Sequence, residues 1–246
     1  MSMENTFRII TPVYNAEKWI GKCIQSVKDQ THTNFTQVIV DDCSTDNTFE
    51  EINKAISGDS RFRVYSKHSK QGAMHSHIYG VSAGCSGAQP EDIIVHLDGD
   101  DWLAHNNVLS YLNEEYNKSE CWVTYGNFKR TDGEPSSCRP YDLMFGFRNE
   151  ILRNWPFSHL RTFKKFLWDK INHSSFLDSN KKLLSCACDV AIMCPILEMA
   201  HDRVKFIEDI LYVYNRDTPI NEDKVDLSDQ VRCALEVLNM QRYFKI

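Results

Sequence analysis

No stretch of this chain approaches the ~18 consecutive apolar residues that a membrane-spanning helix needs. No secretory signal is visible either: Met1-Ser2-Met3-Glu4-Asn5 is polar, and the next apolar run is only as long as a strand. The expectation is a soluble, cytoplasmic chain without a transmembrane segment. Positive charge is in short supply, with 28 Lys and Arg against 34 Asp and Glu and a formal net charge of −6. Nucleic acid is thereby excluded as the main partner, because a phosphate backbone calls for a basic footprint. The nine cysteines include no Cys-x-x-Cys, and Cys186-Ala-Cys188 lacks a second pair at zinc spacing. A zinc or disulfide framework is excluded on that basis, and the thiols are read as reduced, partly buried small hydrophobes. Internal repeats and low-complexity tracts are also missing.

What remains is an ordinary globular balance, 42% hydrophobic and 25% charged over 246 residues. That length buries a real core, as one large α/β domain or two closely fused halves. The first hundred residues alternate strand and helix signals. Strands are expected at Phe7–Thr11, stopped by Pro12, and at Phe35–Val40, Arg61–Tyr65 and Ile93–Leu97. Between them, helices are expected over Glu17–Gln30, Thr48–Ser57 and Gln71–Gly84. Repeats of this kind imply a doubly wound sheet with right-handed crossovers.

Beyond Trp102 the pattern changes. A helix is expected at Val108–Tyr116 and a strand at Cys121–Phe128, followed by weak periodicity from about Thr131 to Ser158. A helix over Val190–Ala200 should kink near Pro195. One or two strands in Val204–Tyr214 and an amphipathic helix over Leu227–Tyr243 complete the chain. The functional boundary falls at Trp102, dividing residues 1–102 from 103–246 without a flexible linker.

The most informative stretch is Leu97-Asp98-Gly99-Asp100-Asp101-Trp102, three carboxylates directly after an apolar strand. In open α/β sheets ligands sit at the carboxyl ends of the strands. Oxygen-only clusters suit Mg²⁺ or Mn²⁺, usually shared with substrate phosphates. An acidic turn capping the next helix is the alternative for the same residues. Three other marked turns follow the other strands: Thr11-Pro12-Val13-Tyr14-Asn15, Asp41-Asp42-Cys43-Ser44 and Lys70-Gln71-Gly72. In a parallel sheet all four turns face one crevice.

Taken in order, these turns resemble the GT-A-fold glycosyltransferases, specifically the large inverting family 2. Cys188-Asp189 at the start of an apolar helix and Leu211-Tyr212-Val213-Tyr214-Asn215 after it extend the likeness over nearly the whole chain. The resemblance implies a GT-A-type doubly wound mixed sheet flanked by helices. It makes residues 1–102 the nucleotide-sugar-binding half and 103–246 a smaller acceptor-binding half. It also implies a metal-dependent inverting enzyme that moves a sugar from a UDP- or GDP-sugar to a hydroxyl of a glycan, glycoprotein or glycolipid.

Residue by residue, the resemblance makes Tyr14 the aromatic that stacks on the base and Asp42 the carboxylate that hydrogen-bonds its edge. Thr11, Pro12 and Gly72 belong to the same nucleotide-sugar pocket. Asp98 and Asp100 match the ends of the Asp-x-Asp motif, Asp98 near ribose and metal and Asp100 on a Mn²⁺ or Mg²⁺ that bridges the diphosphate. Asp101 is open between metal, acceptor and helix cap. Asp189 matches the general base, although Cys188 stands where the family often has Glu. His77 stands near a position where the family usually carries a phosphate-binding Arg. Some relatives add a histidine from the second half to the metal, and His159, His173 and His201 are the candidates.

The segment Phe145–Lys170 interleaves Phe147, Trp155, Phe157, Phe163, Phe166 and Trp168 with Arg148, Arg153, Arg161, Lys164 and Lys165. Aromatic faces suit sugar rings, so this segment is the expected acceptor region, with peripheral contact to an anionic membrane if the acceptor is lipid-linked. Two alternatives stand beside the transferase. A sugar nucleotidylyltransferase needs a glycine-rich loop after the first strand, and Thr11–Asn15 contains no glycine. A non-catalytic carbohydrate-binding relative draws only on the missing Glu before Asp189.

Overall fold

The chain forms one eight-stranded sheet with helices on both faces, seen in a computed structural model that describes residues 4–136, 138–142, 146–153, 155–219, 224 and 226–246. The strands are β1 (Phe7–Val13), β2 (Phe35–Asp41), β3 (Phe62–Ser66), β4 (Ile93–His96), β5 (Trp102–Leu103), β6 (Val123–Arg130), β7 (Arg161–Lys164) and β8 (Val204–Tyr214). Their order across the sheet is β3-β2-β1-β4-β7-β6-β8-β5. The helices are α1 (Ile20–Lys28), α2 (Thr48–Ile56), α3 (Ala73–Tyr79), α4 (Val108–Ser119), α5 (Phe147–Arg153), α6 (Lys165–Trp168), α7 (Cys188–Ala200) and α8 (Leu227–Asn239).

Burial on both faces explains why the first strands read as continuous apolar runs. Successive side chains of β1 enter opposite layers. Ile10 joins Met74, Val81 and the residues of α7, whereas Phe7, Ile9 and Val13 pack with Ile20, Ile24, Ile52 and Leu109. Helix α7 is buried along its whole apolar length from Val190 to Ala200, as a helix without a polar face must be. It continues through Pro195, where the sequence predicts a kink.

Strand β1 pairs in parallel with β2 on one side and β4 on the other, and β2 pairs in parallel with β3. The order 3-2-1-4 therefore reverses between β1 and β4, which is where such sheets hold their ligands. The β1–β4 ladder runs on into the acidic turn: the Gly99 amide donates to the Pro12 carbonyl at 3.1 Å. A Cβ on Gly99 would stand 2.6 Å from the Val13 Cβ, so this close approach admits only glycine.

Several elements depart from their predicted bounds. Pro12 does not stop β1, which ends at Val13 with Pro12 opposite Val40. Helix α3 gives way to a π-helical turn at Gly80–Gly84, where a Cβ on Gly80 would meet the Ile10 Cγ2 at 2.6 Å. Val204–Tyr214 is a single strand. Strand β7 was not anticipated, and it carries the sheet into its antiparallel part by pairing with both β4 and β6.

Most of the aromatics of the basic and aromatic segment are interior, which leaves them little surface to offer an acceptor. Phe147, Phe157, Phe163 and Trp168 are buried, and Trp155 and Phe166 pack against the same core. Arg148 is buried against Glu198 at 2.7 Å, Lys164 pairs with Glu91 and Lys165 with Asp169. Phe145 and the side chain of Arg153 lie outside the described residues. Strands from both sides of Trp102 share the sheet, since β4 pairs with β7. Among the described residues, no helix is long and apolar enough to cross a membrane.

Candidate active site

A cavity of about 430 Å³ opens at the β1–β4 reversal. Six of the eight predicted site residues line it: Pro12, Tyr14, Asp42, Asp98, Asp100 and Asp189. The other two sit behind it. Thr11 is fully buried, its hydroxyl taking a hydrogen bond from Gln37 Nε2 at 2.8 Å. Gly72, with φ of +89°, turns the chain into α3 so that its amide donates to Asp42 at 2.8 Å.

Asp42 follows the last residue of β2 and is held on every side. Its carboxylate accepts from Lys67 Nζ and the Gln71 amide, both at 2.9 Å, as well as from Gly72. Both members of the Lys67–Asp42 pair are buried, with side-chain exposures of 9% and 5%. Its neighbour Asp41 points elsewhere, to Ser44 and Ser66. Asp42 thus joins the Lys70–Gly72 turn to β2, besides facing the cavity. Breaking such a buried pair costs about 3–5 kcal/mol. Asp42→Ala should therefore lower the melting free energy by that order as well as any nucleotide affinity. Chemical denaturation checks this, and an Asp42→Ala protein as stable as the native one would contradict it.

Tyr14 presents its ring beside Lys70, whose ammonium lies 3.6 Å from the ring centroid, a cation–π contact at the cavity wall. His77 lines the cavity but stacks flat on His96 at 4.6 Å. Burial first and the nearby Arg161 second push its pKa down to about 3. It is a neutral ring at ordinary pH, so it does not supply the cation that the resemblance implies at this position.

The acidic turn is clamped from below by the end of β8. The Tyr212 hydroxyl donates to Asp101 at 2.5 Å and accepts from the Asp98 amide at 3.4 Å. The Asn215 amide donates to the other Asp101 oxygen at 2.7 Å, and its side chain donates to the Asp100 carbonyl. Asp101 is 1% exposed and anchors the turn to the end of β8; it does not cap the next helix, whose N-cap is Asn107. His159 stacks on Tyr212 at 4.2 Å, and its Nδ1 is buried without a hydrogen-bond partner. Of the three candidate histidines it is the one that lines the cavity.

The donor set fits a divalent cation. Potential ligand atoms of Asp98, Asp101 and His159 lie within 4.8 Å of one another. Both Asp101 oxygens already accept hydrogen bonds, which leaves Asp98 and the unpartnered His159 Nδ1 as the freer members of this trio; Asp100 is not one of the trio but lines the same cavity. Burial first and Asp98 second push the Asp100 carboxyl up to about 7.

A carboxyl raised on folding adds stability below its unfolded pKa and loses it as pH rises through the folded value. In EDTA, Asp100→Asn should therefore gain stability over the native protein as pH rises from about 4 to about 7, with a larger gain at pH 8 than at pH 5. Buried histidines such as His77 have the opposite sign, but they are common to both proteins and cancel in the difference. Melting temperatures of the two proteins between pH 5 and 8 check this. A gap independent of pH would contradict it.

Asp189 sits in the first turn of α7, after Ala187 in left-handed conformation with φ of +53°. One of its oxygens accepts from the Val190 amide at 2.9 Å and the other from Arg161 Nη1 at 3.1 Å. Arg161 heads β7, opposite His96 in the antiparallel register, and its Nη2 also lies 3.9 Å from Asp98. Sequence reasoning placed Arg161 in a surface segment and so missed it, along with Lys67. A basic residue opening the short β-alternating run Arg161-Thr162-Phe163-Lys164 was the available signal.

The family model described as "Glycosyl transferase family 2" matches residues 8–184. The chain is 28% identical over 228 residues to the glycosyltransferase GlyG of Streptococcus pneumoniae, covering 87% of this chain and 72% of GlyG. It spans 48% of an uncharacterized glycosyltransferase of Haemophilus influenzae that is 33% identical over 126 residues. Among solved structures it superposes on S. aureus TarS 1-349 in complex with UDP, with a TM-score of 0.67 at 20% identity, over 96% of this chain and 66% of that one. The mannosyltransferase PcManGT from Pyrobaculum calidifontis, in complex with GDP-Man and Mn²⁺, gives a TM-score of 0.59 at 16% identity over 86% of this chain and 57% of that one. These likenesses establish the GT-A fold. With the match to the family model over most of its length, the chain belongs to glycosyl transferase family 2.

Proposed function

We propose that the chain is a metal-dependent inverting glycosyltransferase that moves a sugar from a UDP- or GDP-sugar to an acceptor hydroxyl. The observation that carries this reading is the meeting of Tyr14, Asp42, Asp98, Asp100 and Asp189, from three separate turns and a helix N-terminus, on one cavity. TarS is solved with UDP and with UDP-GlcNAc, and PcManGT with GDP-Man and Mn²⁺, which supports a nucleotide sugar as donor and a divalent ion as cofactor.

Tyr14 offers a π-face to the base, which gives contact area without demanding one base. Asp42 and the Pro12 backbone shape the pocket around it, and Asp98 faces the ribose. Asp98 and Asp100 would hold a Mn²⁺ or Mg²⁺, with His159 as an additional nitrogen ligand. When bound, such an ion neutralises charge that builds on the leaving diphosphate. Asp189 accepts the proton of the acceptor hydroxyl as that oxygen attacks the anomeric carbon. The attack comes from the side opposite the leaving group, so the product has the inverted anomeric configuration. The acceptor is a carbohydrate or glycoconjugate reached through the open mouth of the cavity. Incubation with a panel of UDP-, GDP- and dTDP-sugars and Mn²⁺ tests the reading through release of nucleoside diphosphate. Release from at least one donor, with inverted configuration in the sugar product by NMR, is expected. Release of pyrophosphate from a nucleoside triphosphate and a sugar phosphate would instead identify a nucleotidylyltransferase.

A further inference from the structure

We propose that Arg161 is a positioning residue that sets the carboxylate of Asp189 for proton removal and ties it to the Asp98 turn. The inference rests on the reading of Asp189 as the base. Its ground is a geometry that a simple counterion does not require.

Asp189 has two oxygens and each is held by a different donor, the Val190 amide on one and the Arg161 guanidinium on the other. Rotation about the Cβ–Cγ bond is therefore stopped from both sides. The amide belongs to the same helical turn, so it fixes the carboxylate only relative to α7. Arg161 comes from β7 and fixes it relative to the sheet. Because β7 is hydrogen-bonded to β4, the same guanidinium stands 3.9 Å from Asp98, the first residue of the acidic turn. One rigid, planar group thus spans the donor side and the acceptor side of the cavity.

Arg161 is only 6% exposed, so its position is set by packing rather than by solvent. Its Nε is buried without a partner, although the side chain lines the cavity. Lysine in its place would keep the charge and lose the fork that reaches two carboxylates at once. Cys188, in the position before Asp189, brings no second carboxylate to this arginine.

The test measures nucleoside diphosphate release from the donor that the panel above identifies, with Mn²⁺, for Arg161→Ala and Arg161→Lys. Each is made in the native chain and in Asp189→Ala. A misplacement of ~1 Å costs about 10²-fold in rate, so Arg161→Ala should lose about that much kcat with little change in donor KM. Arg161→Lys should recover only part of it, and methylguanidinium should restore turnover to Arg161→Ala. In the Asp189→Ala background the Arg161 substitutions should leave the residual rate unchanged, because the group they position is gone. Effects that multiply with Asp189→Ala, a rise in KM at unchanged kcat, or full activity of Arg161→Lys would each overturn the proposal. Arg161→Lys keeps the buried charge and covers the case in which Arg161→Ala does not fold. If Asp189→Ala itself turns over normally, the base reading falls first and this inference with it. If Asp189→Ala is inactive and both Arg161 variants are fully active, only this inference falls.

Discussion

Asp189→Ala is expected to lower sugar transfer by about 10²–10⁴-fold, the usual worth of a positioned general base. The fold should persist, because Asp189 is not in the core. Its side chain is 28% exposed toward the cavity, and the apolar helix behind it is buried by its own residues. Loss of a favourable charge near a helix N-terminus costs ~0.3–1 kcal/mol and unpairing the buried Arg161 costs more, a stability loss that a melting curve separates from the kinetic one. Asp189→Asn sharpens the comparison. It preserves shape and most of the bond to Arg161 while removing the proton acceptor, so it should be nearly as inactive as the alanine variant. Transfer by Asp189→Asn within tenfold of the native rate would show that the proton goes elsewhere.

The second large effect is expected at the acidic turn. Asp100→Ala should abolish metal-supported turnover, and EDTA should do the same to the native enzyme with full recovery on addition of Mn²⁺. The turn itself should survive the substitution. Its shape is held by the Asp101 bonds to Tyr212 and Asn215 and by the Gly99 bond to Pro12, none of which uses the Asp100 carboxylate. Removing a carboxyl that burial and Asp98 hold at about 7 should also relieve repulsion, so the inactive variant should melt no lower than the native protein at pH 8 without metal. A protein that loses activity by losing a metal ligand rather than its fold is the specific result expected. Turnover by Asp100→Ala close to the native level, or a native enzyme indifferent to EDTA, would remove the metal from the account.

Much of this architecture was legible because the first four strands alternate with helices at regular spacing and end in chemically marked turns. Once those strands are parallel, Tyr14, Asp42 and the Asp98–Asp100 turn have to meet at one edge. The residues that escaped sequence reasoning owe their place to long-range pairing. Arg161 reaches the site only because β7 runs antiparallel beside β4, a pairing that no local periodicity encodes. The aromatics from Phe147 to Trp168 look like a sugar platform in sequence, because composition does not say which face of a segment is covered. Their burial under α7 answers that. Asp101 shows the converse limit, since three adjacent carboxylates look alike until Tyr212 and Asn215, more than a hundred residues away, claim one of them.

The most direct measurement of the central claim is calorimetric titration of UDP and GDP into the protein with and without Mn²⁺, for the native chain and Asp100→Ala. Binding of at least one of these nucleotides is expected only when the ion is present and only to the native chain. At a ligand concentration of a hundred times Kd the complex should be stabilised by about 2.7 kcal/mol, visible as a rise in melting temperature. Equal affinity with and without Mn²⁺, or undiminished binding to Asp100→Ala, would contradict a nucleotide diphosphate held through a metal at the end of β4.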